Sequence, residues 1–105
     1  MKTDSNDSII VFEGFDSLDK EEILVARKIV EKYAQKIEKI TEITRIKLEL
    51  KAHSKVKVNN FEVKGHIEYK GGKVLSEQQD INPFVAIDLV MEKMLKEIKH
   101  KIDRK

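Results

Sequence analysis

A chain of 105 residues is the length of one domain, and 40% hydrophobic content is enough for a single compact core. With no cysteine, disulfides, thiolate zinc sites and cysteine nucleophiles are excluded, and the chain needs no oxidising compartment. The net charge is only +2 but unevenly spread: residues 1–22 hold two bases against seven acids, and residues 93–105 six bases against two acids. Such asymmetry is a cue for an electrostatic partner, although charged helix surfaces are commonly no more than solvated faces.

In chain order, residues 1–7 read as a polar arm ahead of a core spanning 8–102, the whole of 1–105 forming one domain. "IIVFEGF" is a first strand ended by Gly14. Its four apolar residues before Glu13 are too few for a signal peptide or a membrane span, so the sequence predicts a cytoplasmic protein without membrane attachment. "DSLDKEEILVARKIVEKYAQKIEKI" opens with Ser17 or Asp19 as N-cap and acids in its first turn, which suits the positive end of a helix dipole. Ile23, Ala26, Val30, Tyr33, Ile37 and Ile40 recur at spacings of three and four, one buried stripe.

From Arg45 the period becomes two. Ile46, Leu48, Leu50 and Ala52 alternate with charged neighbours, as do Phe61, Val63, Gly65, Ile67 and Tyr69, giving two half-buried strands. "KGGK" predicts a Gly-Gly hairpin turn into a polar edge strand, "KVLSEQQD". Asn82 caps a last helix with Pro83 at its first position, where a missing amide hydrogen costs nothing. That helix buries Phe84, Ile87, Met91, Met94, Ile98 and Ile102. The fold class is therefore α+β, ordered β-α-β-β-β-α, a four-stranded sheet with two helices on one face and a topology like that of double-stranded RNA-binding domains.

Charge specifies the pairing of the second and third strands, because cross-strand neighbours on a solvent face should not repel. With Lys51 opposite Glu62, the outward pairs become Glu49 with Lys64, Lys47 with His66 and Arg45 with Glu68. A slide by two in either direction sets Lys64 against Lys51 or Lys47. The open sheet face then neutralises itself.

The helices behave differently. At 100° per residue, Lys28, Lys32, Lys36 and Lys39 fall within a sector of about 80°, with Glu31, Glu38 and Glu42 on another side. In the last helix Lys93, Lys96, His100 and Arg104 form a second basic stripe flanked by Lys99, while Asp88, Glu92 and Asp103 lie to one side. A merely soluble helix gains from alternating signs at i,i+4, so sorted bases point to a polyanion such as RNA.

Other chemistries lack their residues. His53 and His66 stand about 20 Å apart along the paired strands, too far for one metal. No GxGxxG, P-loop, GxSxG or HExxH occurs, and no catalytic constellation emerges. The sequence predicts no catalytic residue, no metal, no cofactor and no small-molecule substrate, hence no enzyme.

The stretch "NPFVAIDLVMEKMLKEIKHKIDRK" resembles the ribosome hibernation-promoting factor family, the ribosome-associated inhibitors. Phe84, Ala86, Ile87 and Asp88 carry the likeness, with Asn82 where the family has a capping acid. Further upstream, "KIEKI", the "GG" turn and the alternation Val74, Ser76, Gln78 also fit. The resemblance covers about residues 9–105 and, with no dimerisation extension following, implies a short, single-domain form acting as monomer or weak homodimer. It implies binding to small-subunit ribosomal RNA in the decoding channel and obstruction of tRNA and mRNA, with the two basic stripes as RNA-binding residues. Two alternatives stay open: a module for double-stranded or structured RNA, which would hold phosphates with lysines at the start of the last helix, where "NPFVAIDLVME" has no base before its end; and a non-catalytic structural or oligomerising domain using the sheet face or edge strand.

Overall fold

In a computed structural model that describes residues 9–54 and 59–103, the elements follow the expected order. β2 (Ile43–Ser54) and β3 (Asn59–Tyr69) run antiparallel in the register the charges specify: Lys51 opposite Glu62, Glu49 opposite Lys64, Lys47 opposite His66 and Arg45 opposite Glu68. The inward partners Ile46 with Ile67, Leu48 with Gly65 and Leu50 with Val63 are all buried. A one-residue slip would send that whole set to the solvent face. β1 (Ile10–Glu13) lies parallel beside β2 and β4 (Gly72–Asp80) antiparallel beside β3, giving one four-stranded sheet ordered β1-β2-β3-β4.

Both helices cover the inward face. α1 (Lys20–Glu38) contributes Ala26, Val30, Tyr33, Ala34 and Ile37 to the core, and α2 (Pro83–Asp103) contributes Ile87, Val90, Met91, Met94 and Ile98. They meet Ile46, Leu48, Leu50, Val63, Ile67 and Val74 of the sheet in a single cluster. Each buried Val, Leu, Ile or Met among them contributes about 1.5–3 kcal/mol. An exposed ion pair contributes about 0–1 kcal/mol, so surface charge is not what holds this fold together. The stripes read from spacing are correct at their centres and softer at their ends: Ile23, Ile40, Phe84 and Ile102 are half-buried, and Ala52 is exposed where the sheet outruns the helices.

Local sequence explains the element ends. Asp19, not Ser17, caps α1: its carboxylate accepts from the Glu22 N–H at 2.8 Å, and Glu22 Oε1 accepts from the Asp19 N–H at 2.9 Å. Ser17 instead closes a 3-10 turn, Phe15–Ser17, because Leu18 is extended and buried and delays the helix. Asn82 caps α2 as expected, its Oδ1 accepting from the Phe84 N–H at 2.8 Å with Pro83 next in line. β2 begins two residues before the alternation does, since an irregularity between Ile43 and Arg45 breaks the period. The hairpin turn is Lys70–Gly71, with Gly72 already paired to Tyr69; the positive φ of 115° at Gly71 is what glycine supplies there.

Gly65 sets how closely α2 approaches the sheet. A Cβ at that position would clash with Val90 Cγ1 and stand 2.6 Å from Met94 Cε. The expected arm over residues 1–7 and Arg104 of the second stripe lie outside the described residues. Among the described residues, no helix is long and apolar enough to cross a membrane.

Candidate nucleic-acid interface

The first stripe is built on α1 and directed by Tyr33. Lys28, Lys32, Lys36 and Lys39 are all exposed. Tyr33 is buried, and the ammonium groups of Lys32 and Lys36 stand 5.3 and 5.4 Å from its ring centroid. Like charges at i,i+4 cost about 0.2–0.5 kcal/mol each. Lys28–Lys32 and Lys32–Lys36 are two such steps, and the ring offsets part of that cost, since a solvated cation against an aromatic ring is worth about 0.5–1 kcal/mol.

Tyr33 also ties the helices together. Its hydroxyl donates to Asp88 Oδ1 of α2 at 2.9 Å. Burial, then the Asp88 hydrogen bond and the charges of Asp88 and Glu92, push the phenol up to about 12, so it stays a neutral donor throughout the physiological range. The valley between the helices is therefore lined by an acid, not by the bases flanking it.

On α2, Lys93, Lys96, Lys99 and His100 are exposed. Lys93, Lys96 and His100 do not face α1; they line an open groove of about 520 Å³ with Gln78 of β4. Lys96 Nζ stands 3.6 Å from Glu92 Oε2, one turn back. Lys99 alone turns toward α1, within about 20° of Asp88 at 100° per residue. The structure sets the Tyr33–Asp88 bridge between the two helices and gives the second stripe a wall of its own beside β4. Leu89, 39% exposed, and Glu97 complete that wall, and helical spacing alone could not have assigned either to it, because which side of α2 meets β4 is decided by the sheet.

The outer sheet face has no such sorting. Lys47 Nζ pairs with Glu13 Oε2 at 3.5 Å, and His53 Nε2 with Glu62 Oε1 at 3.0 Å. Glu77 of β4 lies close enough that its protonated carboxyl would donate to the Glu62 carboxylate; that interaction, aided by His53, holds Glu62 below the usual carboxylate range and raises Glu77 above it. Among the described residues, no group of three or more histidines and acids could hold a metal ion.

Solved structures share this architecture. The Thermus thermophilus Protein Y N-terminal domain is 16% identical over 87% of this chain and 92% of that one, with a TM-score of 0.58. A ribosomal subunit interface protein from Coxiella burnetii is 20% identical over 91% of this chain and 96% of that one, with a TM-score of 0.59. No curated protein matches the chain in sequence. Fold and surface together define a small α+β protein with lysine-striped helices over a charge-paired sheet. Residues 24–105 match the family described as Sigma 54 modulation protein / S30EA ribosomal protein, and the chain belongs to that family of ribosome-associated proteins. It is the hibernation-factor family that the last helix resembles in sequence.

Proposed function

We propose that the chain binds ribosomal RNA of the small subunit in the decoding channel and holds the ribosome out of translation. The observation that carries this reading is the α1 stripe: four exposed lysines, Lys28, Lys32, Lys36 and Lys39, kept together at a cost in helix stability that alternating signs would avoid. Phosphate is the partner that rewards such an arrangement, through release of its counterions. Lys93, Lys96, Lys99 and His100 extend the contact along α2, and Arg104 completes the proposed RNA-binding set. The protein acts in the cytoplasm, by occupancy and without catalysis, as a monomer or weak homodimer.

The double-stranded RNA alternative loses ground because Pro83–Leu89, the start of α2, carries an acid and no base. Sedimentation of the tagged protein with purified ribosomal subunits tests the proposal. Co-migration with the small subunit at low salt, weakening as salt rises, is the expected outcome. Failure of the wild-type protein to associate with small subunits at low salt would refute it.

A further inference from the structure

The groove between α2 and β4 has a composition that a phosphate-gripping ridge does not need. One wall carries Lys93 and Lys96, but Leu89 exposes apolar surface between them and the helix start, Gln78 presents an amide from the strand, and Glu97 stands one turn beyond Lys93. Among the described residues, no side-chain hydrogen bond or ion pair joins Lys93 and Glu97, although they are four apart on one helix. Glu92 is already committed to Lys96, so Glu97 is the acceptor the groove offers. A volume of about 520 Å³ is within the range of sites that enclose small organic groups, about 300–1,000 Å³.

We propose that this groove holds one unpaired ribonucleotide of the RNA strand and selects a base bearing an amino group. The inference rests on the RNA-binding reading above and adds the ligand's chemistry to it. Lys93 and Lys96 hold the flanking phosphates as point charges. The base packs on Leu89 and the imidazole of His100, as unstacked bases in single-stranded RNA do on histidine and apolar side chains. Its hydrogen-bonding edge then meets the amide of Gln78, which can donate or accept, and the carboxylate of Glu97, which can only accept. Cytosine offers its 4-amino group to that carboxylate. Uracil brings a carbonyl oxygen to the same place and is repelled.

Fluorescence titration with octacytidylate and octauridylate at one salt concentration isolates the base, because the phosphates are equal in number. The wild-type protein should bind the cytosine octamer roughly tenfold more tightly. Glu97→Gln should reduce that preference to about twofold or less without weakening the uracil octamer, since an amide can serve either base. Lys93→Ala should weaken both octamers alike. Equal affinity of the wild type for the two octamers, a preference that survives Glu97→Gln, or no binding of either at low salt overturns the proposal. Small-subunit sedimentation of the same preparations separates the two failures: if the wild type still co-migrates, only the nucleotide groove is lost, and if it does not, the functional reading falls as well.

Discussion

Across β2, β3 and β4 most charged side chains of the outer sheet face meet an opposite charge on the neighbouring strand, whereas along α1 like charges succeed one another for three turns. Both faces are rich in lysine: Lys47, Lys51 and Lys64 on one, Lys28, Lys32, Lys36 and Lys39 on the other. The difference lies in what each lysine sees. Glu62 stands opposite Lys51 and Glu49 opposite Lys64, so the sheet's field closes on itself within a few ångströms. On α1 the glutamates are turned aside, and the lysines' field extends into solvent. Lysine content says little about polyanion binding, then, and the partner facing each lysine says a great deal.

Reversing charges should break this comparison most visibly. Lys28→Glu, Lys32→Glu and Lys36→Glu together should cost on the order of 100-fold in small-subunit affinity near 0.1 M salt. The same change should lower the slope of log affinity against log salt by about 0.9 unit per lost contact on duplex and about 0.7 on single strands. Lys47→Glu, Lys51→Glu and Lys64→Glu should leave binding nearly unchanged. A sheet-face triple that falls off ribosomes while the helix triple sediments as wild type would reverse the assignment of the site.

Stability should distinguish the two sides of β3 next. Gly65→Ala drives a methyl group into Val90 and Met94 and should cost about 1–3 kcal/mol in urea unfolding. Lys64→Ala, one residue away on the solvent face, should stay within about 0.5 kcal/mol of wild type.

A smaller effect belongs to the valley. Tyr33→Phe leaves Asp88 without its donor and should cost about 1 kcal/mol at pH 7. Because the folded-state phenol is raised from 10.0 to about 12, its contribution is complete below the unfolded value and disappears as pH rises through the folded one. The gap between wild type and Tyr33→Phe should therefore close between those two pH values; a constant gap would show that the hydroxyl is not what is being measured.

The smallest expected change is on the sheet at Glu77, which is paired with Lys64 but also feels the carboxylate of Glu62. Glu77 is raised by Glu62, so the native state favours its protonated form, and that contribution is lost as pH climbs past the carboxylate range. Glu62 is lowered, so its contribution runs the other way and is lost on acidification. Glu77→Gln keeps a hydrogen-bonding partner and removes the repulsion. Its urea midpoint at pH 7 should equal or slightly exceed that of wild type, with the difference vanishing below about pH 4. A lower midpoint at pH 7 would show that the paired carboxylates help the sheet.

Much of this was written locally. The register of β2 on β3 could be read because only one alignment spares Lys64 a lysine neighbour, and α2 could be started at Pro83 because Asn82 precedes it. The α1 stripe was legible from spacing alone. What spacing cannot give is the rotation of a helix about its own axis within the fold. Lys93 and His100 border β4, because α2 turns its core stripe to a sheet whose position no helical pattern encodes. The Tyr33–Asp88 bridge spans 55 residues and was hidden for the same reason. Its trace is a hydroxyl inside one apolar stripe and an acid bordering another, each in want of a partner.

Gly65 carries a consequence beyond its own packing. By letting Val90 and Met94 rest against the strand, it fixes the azimuth at which α2 presents Lys93, Lys96 and His100, all within three turns of Val90. The compass bearing of the charged wall is thus kept by a buried residue with no side chain. A variant at Gly65 that folds yet loses ribosomes would be a lesion of aim, with every contacting residue intact and pointed elsewhere.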